Sequence, residues 1–232
     1  MTSTSKNASV LLIGASRGLG YAIAKEYVDR GAQVVATVRG ETRTALHDLQ
    51  ESAGGLLEIE HVDITVPEQV QALRQRLGSR IFDLLFVNAG VGVKETVADV
   101  ATDEFVRVMV TNALSPMRVI ETLSDVVLAD GTIAIMSSGQ GSVANNHKGG
   151  FEIYRASKSA LNQLMRSYAN RHHDDPRTLL LMAPGWVKTD LGGPNARLTI
   201  DESIPNLVRT VNGQRGRIGL QYLDYQGKVV AW

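Results

Sequence analysis

The chain of 232 residues contains no cysteine. That excludes disulfides, thiolate nucleophiles and cysteine-ligated zinc together. It fits a reducing compartment, and a cytoplasmic protein is expected. Net charge is also missing, because 24 Lys and Arg balance 24 Asp and Glu. A neutral chain has no overall attraction for nucleic acid or for an anionic membrane, so neither is expected as a partner. No apolar run approaches the ~18 residues a membrane-spanning helix needs. Residues 10–15, the longest early run, are too short for the core of a signal peptide. There is no repeat, linker or low-complexity tract. One domain over residues 8–232 is expected, preceded by a polar, frayed tail at 1–7. None of the five histidines falls in an H-E-x-x-H pattern, and no metal site is expected. His172 and His173 read as a solvated helix end near its negative pole.

What is present is ordinary globular material: 44% apolar and 21% charged residues, too rich in the former for a disordered chain. Short apolar runs alternate with longer amphipathic stretches. The runs predict strands over residues 9–13, 33–38, 56–59, 82–87, 132–136, 178–182 and 218–221. They are continuous rather than alternating, as in strands buried on both faces. The stretches between them predict helices over 19–30, 41–51, 67–77, 103–128, 152–171 and 201–212. Such alternation implies an α/β fold, a doubly wound parallel sheet with helices on both faces.

The first strand runs into GASRGLG, with glycines at 14, 18 and 20. Glycine permits the tight turn and lets backbone N–H groups approach a pyrophosphate, while the next helix directs its positive end at that anion. The second strand ends in Val38 and Arg39. An acidic residue about there commonly holds the ribose 2′-hydroxyl of NAD. Val38 stands at that place, and Arg17 and Arg39 offer two guanidinium groups suited to a 2′-phosphate. NADP(H) is therefore the expected cofactor. In the helix over 152–171, Tyr154 and Lys158 are four apart and share a face. An ammonium beside a phenol should lower its pKa and make it a usable acid. Ser138 closes the fifth strand, Asn88-Ala89-Gly90 the fourth, and Pro184-Gly185-Trp186-Val187-Lys188-Thr189 the sixth. These endings share the carboxyl rim, where parallel sheets bind ligands. Trp186, Phe151 and Leu191 are candidates to line an apolar substrate pocket. No His–Asp pair accompanies Ser138, which argues against a hydrolase triad.

Taken in order, the glycine loop, N-A-G, Ser138, Y-x-x-x-K and P-G-x-V-x-T resemble the short-chain dehydrogenase/reductase family over Gly14 to Lys188. The resemblance implies a Rossmann-type sheet of seven strands and hydride transfer between NADP(H) and a small carbonyl or alcohol substrate. It implies Tyr154 as acid/base, Lys158 on the nicotinamide ribose, Ser138 on the substrate oxygen, and Asn112 holding a water in a proton relay. Gly14, Ser16, Arg17, Gly18, Leu19, Gly20, Arg39, Asp63, Ile64, Asn88, Ala89, Gly90, Pro184, Gly185, Val187 and Thr189 would surround the cofactor with Tyr154 and Lys158, Asp63 on adenine. Residues 183–196 and the closing 223–228 are similar to the C-factor and sniffer-like carbonyl reductase branch. Ile13 and Val87 depart from the family's usual residues. Ser138 and Tyr154 are sixteen positions apart, with extra residues 145–150 expected beside the substrate. The apolar helices over 103–128 and 152–171 suggest a homodimer or homotetramer. The rival reading is a dinucleotide-binding sensor with little turnover, which would have no need of Tyr154.

Overall fold

A computed structural model describes residues 8–232; the expected tail at 1–7 lies outside the described residues. Seven strands form one parallel sheet: β1 Ser9–Ile13, β2 Gln33–Val38, β3 Leu57–His61, β4 Phe82–Val87, β5 Val127–Met136, β6 Thr178–Ala183 and β7 Gly219–Asp224. Their order is β3-β2-β1-β4-β5-β6-β7. The order reverses between β1 and β4, so the chain leaves these neighbours toward opposite sides and opens a crevice beyond their carboxyl ends.

Strand residues alternate between two cores. Leu11 and Ile13 face one layer with α3 (Pro67–Leu77), α5 (Ser115–Leu123) and α6 (Glu152–Arg171). Val10 and Leu12 face the other, with α1 (Gly18–Asp29), α2 (Ala45–Ser52) and α7 (Ile200–Gly213). This double burial is why the strands read as unbroken apolar runs. Helix starts follow local chemistry. Pro67 opens α3. In α7 the Thr199 hydroxyl accepts from the Glu202 N–H at 3.2 Å while Glu202 accepts from the Thr199 N–H at 2.7 Å.

The long helix expected over 103–128 does not exist as one element. Its place is taken by α4 (Thr102–Met109), a π-helical turn at Val110–Leu114, α5, and a 3-10 turn at Ser124–Val126. Val127 and Leu128 already belong to β5. Val127 is buried in the sheet, where it pairs with Phe82, and the register slips between Phe82 and Leu84. The π turn has a functional neighbour, since it carries Asn112.

Candidate active site

At the end of β1 the glycine loop is held from both sides. The Gly14 N–H donates to Thr37 Oγ1 on β2 at 2.9 Å, and Ala15 N–H to the Thr37 carbonyl at 2.8 Å. From β4, Asn88 Nδ2 donates to the Gly14 carbonyl at 2.7 Å. Gly14 has φ +88°, and a Cβ there would stand 2.8 Å from that of Ala89. Helix α1 then starts with no side-chain cap and no acidic residue in its first turn. Its free N–H groups and positive end suit an anion. The loop after β6 closes over this turn: Thr189 Cγ2 lies 4.0 Å from the Cβ position of Gly18, and Arg17 pairs with Asp190 at 3.3 Å. Val187 is buried and bridges to Leu198, while the Pro184 carbonyl accepts from Ser203 at 2.7 Å. Ser16 and Leu19 complete the loop, half-buried.

Asp63 Oδ1 accepts from the Thr65 N–H at 2.9 Å and its hydroxyl at 2.6 Å, which fixes the carboxylate at the turn after β3; Ile64 beside it is buried. Arg39 is exposed at the end of β2. Val38, the last residue of that strand, is 2% exposed and packs in the core. Strand alternation turns Arg39 outward instead.

Ser138, Tyr154, Lys158 and Asn112 converge beyond β4 and β5. Lys158 is buried and donates from Nζ to the Met136 carbonyl at 2.9 Å. A Cβ on Gly90 would lie 3.5 Å from that Nζ and 3.3 Å from Asn112 Oδ1, so Gly90 makes the space both use. Asn112 is wholly buried. Its Oδ1 accepts from the Val91 N–H at 2.8 Å, and its Nδ2 donates to the Val91 carbonyl at 2.7 Å and Ser157 Oγ at 3.0 Å. The side-chain amide is thus committed to the loop after β4. Ser138 Oγ accepts from the Gln140 N–H at 3.2 Å and lies within reach of the Tyr154 hydroxyl.

The electrostatics differ from expectation. Burial raises the Tyr154 phenol above its ordinary value, and a hydrogen bond with Ser138 opposes this only in part. Lys158 Nζ lies 5.9 Å from the ring centroid, and burial lowers the ammonium itself to about 8. A raised phenol stays protonated at neutral pH, which suits an acid.

Several supporting residues were not visible in the motifs. Thr37 is the lone polar side chain of β2 apart from Gln33 at its start, and that isolation in an apolar strand was its only signal. Ser137 donates to Asn162 at 2.6 Å, and Asn162 donates to the Gly141 carbonyl at 3.2 Å, bracing the turn after Ser138. Trp186, Phe151 and Leu191 are exposed, and the Leu191 side chain occupies the place a Cβ on Gly92 would fill. Phe151 sits directly before α6 at φ +51°, the one non-glycine residue in that region among the described residues. His173 is exposed beside Asp174, as a solvated helix end should be. His172 is not: its ring stacks on Tyr168 at 4.3 Å.

A family model described as short chain dehydrogenase matches residues 8–197. A short-chain dehydrogenase/reductase from Burkholderia multivorans with bound NADP is 56% identical, covers 98% of this chain and 100% of its own, and superposes with a TM-score of 0.96. A carbonyl reductase from Pseudomonas aeruginosa PAO1 in complex with NADP is 36% identical, covers 98% and 100%, and has a TM-score of 0.91. The C-signal of Myxococcus xanthus is 36% identical over 154 residues, 65% of this chain and 92% of that protein.

Proposed function

The chain belongs to the short-chain dehydrogenase family, and from that membership we propose that it is an NADP(H)-dependent reductase of small aldehydes or ketones, reversible toward the alcohol. The observation that carries this reading is the convergence of Ser138, Tyr154 and a buried Lys158 beyond β5, next to an uncapped glycine-loop helix. The tight approach of Gly14 to Ala89 and the free start of α1 fit a dinucleotide pyrophosphate. Bound NADPH supplies the hydride that reduces the carbonyl carbon.

The protein's own residues handle the oxygen and its proton. Ser138 donates to the substrate oxygen, and Tyr154, kept protonated by burial, transfers the proton that completes the alcohol. Lys158 spends one of its three donors on Met136 and keeps two for ribose hydroxyls. The side chain of Asn112 is occupied, so a water in the relay would meet its main chain within the π turn. Trp186, Phe151 and Leu191 give the entrance an apolar character. Loss of NADPH absorbance on a panel of aldehydes and ketones tests the reading; binding of NADPH without turnover of any of them would sink it in favour of a sensor.

The cofactor preference has its own test. The Arg17–Asp190 pair is 80% and 84% exposed, and such pairs contribute about 0–1 kcal/mol. A charge-assisted hydrogen bond to phosphate contributes about 1.5–3 kcal/mol, so a 2′-phosphate can draw Arg17 away from Asp190. Arg39 has no ion pair to give up among the described residues. A preference of roughly 10- to 150-fold for NADPH over NADH in kcat/KM is expected, falling by about tenfold in Arg39→Ala. Equal use of both cofactors by the unaltered protein would refute the assignment.

Assembly and location are part of the same proposal. Phe105, Val106, Leu114 and Leu164 are exposed on α4, the π turn and α6, an apolar face suited to a second copy. Symmetric pairing of this face gives a homodimer or homotetramer, and light scattering at micromolar concentration should return a multiple of the chain mass. A monomer would refute the pairing. Among the described residues no helix is long and apolar enough to cross a membrane. A cytoplasmic location is the reading favoured by the cysteine-free sequence.

A further inference from the structure

Tyr222 and Trp232 stand outside every motif above, yet they touch two sides of the candidate site. Tyr222 on β7 is 2% exposed, and its hydroxyl donates to the main-chain carbonyl of Ser138. The same carbonyl accepts from the Gly141 N–H at 2.8 Å, so the turn carrying the Ser138 hydroxyl is pinned by two donors. Beyond β7 the chain folds back on that strand. Leu223 bridges Val229 in antiparallel fashion, and the Val230 N–H donates to the Tyr222 carbonyl at 2.8 Å. This return lays the Trp232 ring against the Tyr222 ring, centroids 5.5 Å apart, while the Arg166 guanidinium of α6 covers Trp232 at 4.1 Å.

Trp232 also reaches the segment between Ser138 and Tyr154. Its main-chain oxygen accepts from the Ala144 N–H at 3.0 Å. Residues 143–150 are exposed, and their other described hydrogen bonds are local: Asn145 N–H to Ser142 Oγ, Asn146 N–H to Val143, His147 N–H to Asn145, Gly149 N–H to Asn146 Oδ1, and Arg155 to Gly150. The Ala144–Trp232 bond is the one among them that ties this segment to a distant part of the fold.

We propose that Tyr222 and Trp232 are positioning residues for the reaction, a strap that fixes the Ser138 turn and the 143–150 segment together. Tyr222 sets where the Ser138 donor stands. Trp232, held between Tyr222 and Arg166, sets the wall that the inserted segment presents to substrate. Both effects concern the substrate oxygen and the entrance. Neither residue has a described contact with the glycine loop or with Lys158, so NADPH binding should be spared.

The strap rests on the carbonyl-reductase reading, and two separate readouts keep their failures distinct. The first is steady-state reduction of benzaldehyde and acetophenone by the full chain. Trp232→Ala should raise KM about tenfold or more with a smaller change in kcat, while Tyr222→Phe, which keeps the ring and loses only the donor, should lower kcat about tenfold. Trp232→Phe should recover most of the loss, and NADPH affinity should stay within about twofold in all three. The second readout is amide hydrogen exchange, which needs no turnover. The Ala144 amide should exchange at least about tenfold faster in Trp232→Ala than in the unaltered protein, with α1 unchanged. If the unaltered protein reduces neither compound, the functional reading is in question and the exchange result alone decides the strap. Unchanged Ala144 exchange in a folded Trp232→Ala protein overturns it, as does a loss of NADPH affinity that matches the loss of activity.

Discussion

Replacing Tyr154 by Phe is expected to lower turnover by about 10²- to 10⁴-fold, the range a positioned general acid contributes, while NADPH affinity stays near that of the unaltered protein. The substitution removes one hydroxyl from a site whose framework does not depend on it. Lys158 still donates to Met136, Asn112 still binds Val91, and Ser138 still accepts from Gln140. The pH dependence supplies a second signature. Burial keeps the phenol protonated beyond its ordinary range, so it is ready to donate throughout neutral pH. Lys158 behaves in the opposite sense, because burial lowers its ammonium to about 8. In the free enzyme, then, kcat/KM for reduction should hold below that value and decline as pH rises through it, when the positive charge beside the ribose site is lost. Rates measured from neutral to alkaline pH, with cofactor affinity by fluorescence titration, check both statements. A Tyr154→Phe protein that kept most of its activity would remove Tyr154 from the acid's role.

Much of this site was legible because its parts are local in sequence. The glycine loop, N-A-G, Y-x-x-x-K and P-G-x-V-x-T each sit within one turn of chain, and a parallel sheet collects strand ends on one rim whatever the loops between them do. The strands were legible for a related reason: burial on both faces makes them continuous apolar runs. What escaped notice depends on distant partners. Thr37 is 23 residues from Gly14, and Tyr222 is 84 from Ser138, and no spacing rule connects such pairs. The helix over 103–128 is shorter than its hydropathy suggests because only Ser124 and Asp125 separate the apolar end of α5 from the apolar start of β5, and hydropathy alone cannot tell a buried helix from a buried strand. The relation between Tyr154 and Lys158 was half legible. Their spacing places them on one face, but the sequence carries no measure of burial, and burial decides both pKa directions.

Gly20→Ala should affect the cofactor site most severely, reducing NADPH affinity on the order of 10²-fold and lowering the melting temperature as well. In an open helix interior the same change would favour folding by about 0.8–1 kcal/mol, because alanine is the better helix former. Here packing opposes propensity. A Cβ at Gly20 would lie 2.1 Å from the Gly14 carbonyl oxygen and 2.5 Å from Asn88 Nδ2, and it would displace the 2.7 Å hydrogen bond between those two atoms. The Gly14 oxygen is backbone, held in turn by the N–H bonds of Gly14 and Ala15 to Thr37, so it cannot move without carrying the turn with it. Overpacking of this kind costs about 1–3 kcal/mol, more than the propensity returns. The shift falls on the N–H groups that would face the pyrophosphate, where a misplacement near 1 Å is worth about 10²-fold. Gly18 offers the contrast within the same loop. It has φ +56° and no atom nearer than 4.0 Å to its Cβ position, so Gly18→Ala meets only the left-handed backbone penalty of about 1–2 kcal/mol. Titration of NADPH fluorescence and thermal melting of both variants should therefore rank Gly20→Ala below Gly18→Ala in affinity. A Gly20→Ala protein that bound NADPH as tightly as the unaltered chain would mean that the pyrophosphate does not rest on this turn.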